Sequence, residues 1–506
     1  MRFRESHPIT RGRRVATAIA GLALALVAGT AVVPRSPAVA TTARARATAR
    51  ARARTVYVCR HGQLGANGRP CAYHTTAQVD GARLAPGSRV SFMGSDTFTG
   101  DGLQAYSGIT YTSYGVGRAI IRPSPGRNGV TFWGGYGKHD VTGVTVSDLV
   151  LDGGSYRPAR QAAGVYSSDG ANVGNTIEDC VIVDWVQGIM LSYQDSGWRI
   201  LGDTISRIAL NGVYIGRHDA PYRGPSGDLI AGDLISRTGL DPTWGGNRYA
   251  VHGIYDDGVD SIVAGNRISD FSSSGITVRF GGSRVVGNTI DGARDGTAHG
   301  AFGISFFDYD PSPGDAVWAR NLITGVTRAG IYINNGSGGP QASEQAFTIA
   351  DNLVSMAAYG GDSAAMELDL DSHGAGGGWA GPHGALVLTG NLVQGRATYD
   401  VRMTGEPFSV AGSSEYDNAW PAESGSPKWV YDGRAYASLG SYRAATGQGA
   451  ADRLTTPATG PAAPTLATQP SVAGAGLTVG AGPAVGAGHF LGAGQVALWQ
   501  LLLQAP

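Results

Sequence analysis

Groups able to move protons gather in one stretch of this chain. Asp256-Asp257 is followed by Arg279, preceded by Arg217-His218-Asp219 and His252, and trailed by Asp308-Tyr309-Asp310. Two carboxylates can divide the work of acid and base, and a base beside a cation can remove a proton whose departure leaves negative charge behind. The same residue types also form plain salt-bridge patches, so the set is a candidate site and an ion-pair network on equal terms. A second cluster, Glu367-Leu368-Asp369-Leu370-Asp371 with His373, puts three carboxylates on one face of a strand. That arrangement suits a hard cation such as calcium. It equally suits a solvated edge that resists aggregation, and this is the favoured account. No Gly-rich phosphate loop, G-x-S-x-G elbow or HExxH helix is present. With Lys138 and Lys428 the only lysines, a lysine-based mechanism has few candidates.

What positions these residues is a repeat. Gly followed by Val or Ile recurs at Gly164-Val165, Gly188-Ile189, Gly212-Val213, Gly253-Ile254, Gly275-Ile276, Gly303-Ile304 and Gly330-Ile331. Between them runs a second signature, Asn or Asp with a β-branched residue two places on: Asp179, Asp203, Asp233, Asn266, Asn288, Asn321, Asn352 and Asn391. Their spacing drifts while the pattern holds, as it does in a solenoid whose coils carry loops of variable length. The periodic asparagines are read as structural, since catalysis needs one site whereas stacked amides bond along a whole coil.

The predicted organisation is a signal peptide over 1–40, a disordered Ala/Arg spacer over 41–54, a coil over 55–440 and a low-complexity tail over 441–506. The first segment has an Arg-rich start, the apolar run Val15–Val33 and a small-residue site at Ala38-Val39-Ala40. Export follows, with the body secreted or associated with the cell wall and no stable membrane insertion once the signal is cleaved. Beyond residue 54 the chain carries 28 basic and 38 acidic residues, a balance unsuited to nucleic acid. The chain has 79 glycines, and no sustained 3.6-residue period runs through the coil, so strands and tight turns are expected with one short helix near 77–84. In an exported protein Cys59 and Cys71, twelve apart, are placed to pair, and Cys180 is left over in the core.

The repeat texture, with Thr55-Val56-Tyr57-Val58, Pro86-Gly87-Ser88-Arg89-Val90 and Ile109–Tyr114, resembles the right-handed parallel β-helix proteins of the pectate-lyase-like superfamily. Cys59-Arg60-His61-Gly62 departs from the opening that many relatives carry. The resemblance implies an all-β, single-stranded right-handed parallel β-helix and a polysaccharide partner, for an enzyme or for a binding scaffold without activity. The expected form is a monomer with no established cofactor and calcium left open.

Within such a coil the residue after each Gly faces inward, and the next faces outward. That defines a column of Tyr166, Met190, Tyr214, Tyr255, Thr277, Ser305, Tyr332, Glu367 and Arg402, and a second of Ser192, Gly216, Asp257, Arg279, Phe307, Asn334 and Asp369. Rings with small residues in the middle make a sugar groove, although Tyr also suits any half-exposed strand. In a lyase reading Arg279 or His218 is the base and Arg217 or a cation neutralises a uronate, with Tyr214, Tyr255 and Tyr332 binding substrate. In a hydrolase reading an exposed Asp257 works with Asp219 or Asp308; Asp256-Asp257 resembles the paired aspartates of inverting hydrolases, though their Gly-His-Gly is absent.

Overall fold

The computed structural model describes residues 52–133, 140–154, 162–168, 171–191, 194–216, 227–241, 251–279, 281–294, 300–307, 314–334, 346–357, 362–369, 384–404, 408, 410–422, 426 and 428–455. The expected signal peptide, most of the spacer, the final tail after 455, and the candidate residues Ser192, Arg217, His218, Asp219, Asp308, Asp371 and His373 lie outside them.

Strand runs of Val, Ile and Leu fold here into three parallel sheets of 13 strands each, among the described residues. One begins at Thr55–Val58 and ends at Ser414–Tyr416, one runs from Leu103–Gln104 to Arg434–Tyr436, and one from Thr97–Gly100 to Arg453–Thr455. Each coil visits all three in turn. Leu149–Asp152 thus leads to Ala163–Ser168 and then Thr176–Glu178, which pair with the same three sheets one coil on. Crossovers between parallel strands of one sheet are right-handed, and the chain is a single-stranded right-handed parallel β-helix. Its one antiparallel pair of strands among the described residues is Trp429–Tyr431 with Arg434–Tyr436, at the C-terminal end. Among the described residues no helix is long and apolar enough to cross a membrane.

The ends are treated differently from the middle. Near the N-terminus, Thr76–Asp80 is helical, with the Thr75 hydroxyl accepting from Gln78 N–H as its cap. It starts one residue before the expected span and stops at Gly81, short of Leu84. Cys59 and Cys71 form a disulfide beside it, while Cys180 is free and buried. At the other end, Leu439–Thr446 is helical and buries Leu439 and Tyr442.

The recurrent Gly-Val/Ile pair has a steric cause. A Cβ added to Gly253 would lie 2.5 Å from Ile268 Cγ2 and 2.6 Å from the Gly275 carbonyl oxygen, so the coil can close only over hydrogen. The following residues, Val165, Ile189, Val213, Ile254, Ile276, Ile304 and Ile331, are fully buried and stack along the axis.

At another corner a residue in the left-handed region, Arg320 or Asp351 for instance, is followed by a buried Asn. Asn321 Oδ1 accepts from the N–H and from Nδ2 of Asn288, each at 3.0 Å, and its own Nδ2 donates to the Val285 carbonyl and to Asn352 Oδ1, each at 2.9 Å. The ladder continues through Asn266, Asn352, Asn391 and Asn418 to Asp452. Toward the N-terminus it passes through Asp233 and Asp203 and ends on the Cys180 N–H. Asp179, counted with the ladder from its spacing, instead occupies the left-handed corner at φ 53°, and the inward place beside it is taken by Cys180. Asp and Asn are both tolerant of that backbone region, which is why the two positions look alike in sequence.

Asp203 and Asp233 cannot copy the amide donor unless protonated, and Oδ2 of each is buried without a hydrogen-bond partner among the described residues. Burial pushes both carboxyls well above the usual range. Folding therefore retains protons that the unfolded chain releases above about pH 4, and stability drains as pH rises from there. Asp233→Asn is expected to raise the melting temperature at pH 8 and to flatten its pH dependence. Asn321→Ala should lower stability by about 1–3 kcal/mol for the polar groups it strands. Thermal melts of both variants from pH 4 to pH 8 check the pair, and an unchanged melt for Asn321→Ala refutes the ladder's role.

Candidate functional site

The outward column expected from the repeat is in register through eight steps. Tyr166, Met190, Tyr214, Tyr255, Thr277, Ser305, Tyr332, Glu367 and Arg402 are successive cross-strand partners. The second column is in register from Phe307 through Asn334 to Asp369. Adjacent rungs lie about 4.8 Å apart, and the Tyr214 and Tyr255 rings stack with centroids 5.2 Å apart and planes 10° from parallel.

Around Tyr255 the side chains interlock. The Arg279 guanidinium donates from Nη1 to the Tyr255 hydroxyl at 3.0 Å, and its Cζ lies 5.7 Å from the Tyr255 ring centroid and 5.8 Å from that of Phe307. A guanidinium is a permanent cation with donors only, so Arg279 stands here as a charge and a hydrogen-bond donor rather than as a base. His252 also stacks on Tyr255, at 5.2 Å, and its Nδ1 pairs with the Thr277 hydroxyl at 3.2 Å. Burial, with the Arg279 charge assisting, drops the His252 pKa to about 3, which leaves the imidazole neutral. Burial also pushes the Tyr214 hydroxyl up to about 12, the Asp257 charge adding to the rise and Arg279 opposing it.

Three details differ from the expectation. Asp257 is not exposed: only 8% of its surface is accessible, so a substitution there bears on packing as well as on chemistry. The small residues in mid-column are not open space. Thr277 and Ser305 are buried, and their hydroxyls join at 2.8 Å in a chain that reaches Ser274 at 3.1 Å. Glu367, the first member of the acidic strand, is also buried and accepts from Arg328 at 2.9 Å and from Arg402. Burial raises its pKa and the two guanidinium groups restrain the rise. Among the described residues no group of three or more His, Cys, Asp or Glu side chains is assembled to hold a metal.

Tyr332 sits two steps beyond Thr277, its hydroxyl accepting from Asn334 at 3.1 Å and its ring packed on Phe302 and Phe307 at 4.8 and 5.2 Å. The structure thus brings Tyr214, Tyr255, Asp257 and Arg279 together and leaves Tyr332 in a neighbouring aromatic group. Phe302 and the Ser274–Thr277–Ser305 hydroxyl chain were not singled out from sequence. The alignment of Ser274 with His252 and Phe302 across coils depends on strand register, which the residue types do not reveal.

No family model matches this chain, and no curated protein matches it. Among solved structures it is similar to the A-module of the mannuronan C-5 epimerase AlgE6 of Azotobacter vinelandii, at 15% identity over 76% of this chain and 94% of that one, TM-score 0.49. It is also similar to an alginate lyase from Paenibacillus, at 15% identity over 80% and 99%, TM-score 0.36. A third is PfbA, a surface adhesin of Streptococcus pneumoniae, at 12% identity over 67% and 85%, TM-score 0.44.

Asp256 faces the core at the end of the same strand, its Oδ1 accepting from Gly258 N–H at 2.8 Å and from the Ser261 hydroxyl at 3.2 Å. Burial pushes its pKa up to about 7 against those two bonds. The folded protein accordingly loses stability as pH climbs from about 4 through 7. Asp256→Asn should melt higher than the parent at pH 8, by the equivalent of about 1–4 kcal/mol, and no higher at pH 4. Melts at the two pH values test this, and a variant that is less stable at both overturns the assignment.

Proposed function

We propose that this protein acts on an acidic polysaccharide laid along the outward face of the second sheet, cleaving it by proton abstraction beside a uronate carboxylate. The observation that carries the reading is the Tyr255–Arg279 pair: a phenol whose oxygen already receives a guanidinium donor at 3.0 Å, flanked by a stacked Tyr214 and a neutral His252.

Arg279 serves twice in this scheme. It stabilises negative charge arising on the Tyr255 oxygen and offers a cation to the uronate carboxylate, whose own charge grows as the neighbouring proton leaves. Tyr255, as phenolate, takes the proton from C5 of the uronate. The C5 electron pair forms a C4=C5 double bond, the C4–O glycosidic bond breaks, and the departing oxygen is protonated by the phenol so formed. No water is consumed. Tyr214 provides a ring against which a sugar face can rest, and His252, bonded to Thr277, stacks on the Tyr255 ring.

The hydrolytic reading needs two carboxylates across the scissile bond, roughly 6.5–9.5 Å apart for inversion. Of the acids considered for it, Asp257 is nearly buried, Asp256 faces the core, and Asp219 and Asp308 lie outside the described residues. The elimination scheme requires only the base and cation that stand together. Calcium, if used, would act as a further neutraliser of the uronate. We place the protein outside the cytoplasm, as a secreted or wall-associated monomer, on the strength of the N-terminal sequence pattern and the self-contained coil.

Pectate, alginate and glucuronan offered with and without calcium should include one polymer that yields ultraviolet-absorbing unsaturated ends. Tyr255→Phe is expected to lower that rate by about 10²-fold or more while leaving the melt unchanged. New reducing ends without ultraviolet absorbance would replace elimination by hydrolysis, and full activity in Tyr255→Phe would move the site elsewhere.

A further inference from the structure

A cavity of about 450 Å³ opens at the N-terminal end of the same face, lined among others by Asp80, Asp101, Gln104, Arg127, Trp133 and Tyr166. Its volume falls within the ~300–1,000 Å³ usual for small-molecule sites. It is continuous with the outward column, since Gln104 pairs with Thr131 and Thr131 with Tyr166. Thr131 lies four coil steps from Tyr255, roughly 19 Å at the ordinary strand spacing, so the cavity is separate from the Tyr255–Arg279 pair.

The walls are held in place from several sides. Asp80 ends the capping helix Thr76–Asp80, and its Oδ1 accepts from the Gln104 N–H at 3.1 Å while its carbonyl accepts from the Tyr106 hydroxyl at 3.0 Å. No described residue bonds its Oδ2. The Gln104 side chain donates to the Trp133 carbonyl at 3.2 Å, which fixes the strand end that carries the indole. Trp133 nevertheless keeps half of its surface accessible, unlike the buried Trp185, Trp198, Trp318, Trp420 and Trp429. Arg127 faces Asp101 at 3.3 Å, so the one cation among the described lining residues is already turned toward a carboxylate.

This chemistry selects by charge. Two carboxylates against one committed guanidinium make an acidic rim that repels carboxylate, sulfate and phosphate. Carboxylates accept strongly from hydroxyl donors, and an exposed indole face packs the C–H face of a sugar ring. We propose that the cavity binds a neutral sugar unit of an uncharged oligosaccharide, with Trp133 as the platform and the Asp80 and Asp101 carboxylates as hydroxyl acceptors. This site does not depend on chemistry at Tyr255 and stands or falls separately from it. Burial, opposed by the Gln104 hydrogen bond and assisted by the Asp101 charge, raises the Asp80 pKa to about 6, so Asp80 is charged at pH 8.

The test is calorimetric titration of the full chain at pH 8 with cellotetraose, maltotetraose, mannotetraose, xylotetraose and, as the acidic counterpart, tetragalacturonate. At least one neutral tetrasaccharide should bind, and Trp133→Ala should weaken it at least tenfold while Tyr255→Phe leaves it unchanged. Circular dichroism and melting of Trp133→Ala establish that the variant is folded, and Trp133→Phe should recover part of the loss. Asp80→Asn should admit tetragalacturonate at this site more readily than the parent does. Binding of none of the neutral probes, binding that survives Trp133→Ala but is lost in Tyr255→Phe, or a Trp133-dependent preference for tetragalacturonate in the parent would each overturn the proposal.

Discussion

From Cys180 to Asp452 the coil turns over a corner that is sealed on the inside by one repeated hydrogen-bond pattern, and the outward side chains take their positions from it. From Asn288 to Asn418 the side-chain carbonyl at each rung accepts both the main-chain N–H and the amide of the rung before it, as at Asn321 and Asn288, while Asp203, Asp233 and Asn266 accept the main-chain N–H alone. Parallel strands joined by turns leave main-chain groups at each corner with no strand partner, and burying such groups unpaired is costly. The Asn ladder supplies the partners from inside, which leaves the outer surface free for other residues. With the corner anchored, the stacked Val and Ile column and the glycines that permit close packing bring successive rungs into register.

That regularity lets loops vary without moving the face. The sheet bearing Tyr214 and Tyr255 keeps its pairing although the segments between its strands differ in length from coil to coil. A groove assembled this way is preorganised by the scaffold, with its reactive groups on strands rather than on loops. Tyr255 is stacked with His252 and hydrogen-bonded by Arg279, so the ring has little freedom to leave the column.

The interior also stores protons. Asp203, Asp233 and Asp256 are buried carboxyls raised by desolvation, and Glu415, beneath the C-terminal helix, is raised in the same way and meets the Tyr442 hydroxyl. The first two fill rungs where asparagine stands elsewhere, and Oδ2 of each lacks the partner that an asparagine amide finds there. Glu367 is the contrasting case, a buried acid matched by Arg328 and Arg402. Each of these raised acids adds its own pH dependence to the stability of the coil.

Periodicity alone determined the solenoid, the inward Val and Ile positions and the membership of the outward column, because a two-residue alternation and a fixed rung spacing leave little choice once the repeat is recognised. The structural role of the asparagines was legible for the same reason. Periodicity did not separate Asp179 from Cys180, since a left-handed corner and a ladder rung favour the same short polar residues. Nor did it show that Asp257 is nearly buried, that Thr277 and Ser305 are tied into a hydroxyl chain with His252, or that Glu367 is neutralised by two arginines. Those facts depend on which side chains meet across coils separated by 22 to 39 residues. Asp80 and Trp133 lie outside the repeat signature altogether, and only the packing of the capping helix against the first strands of the face brings them to one cavity.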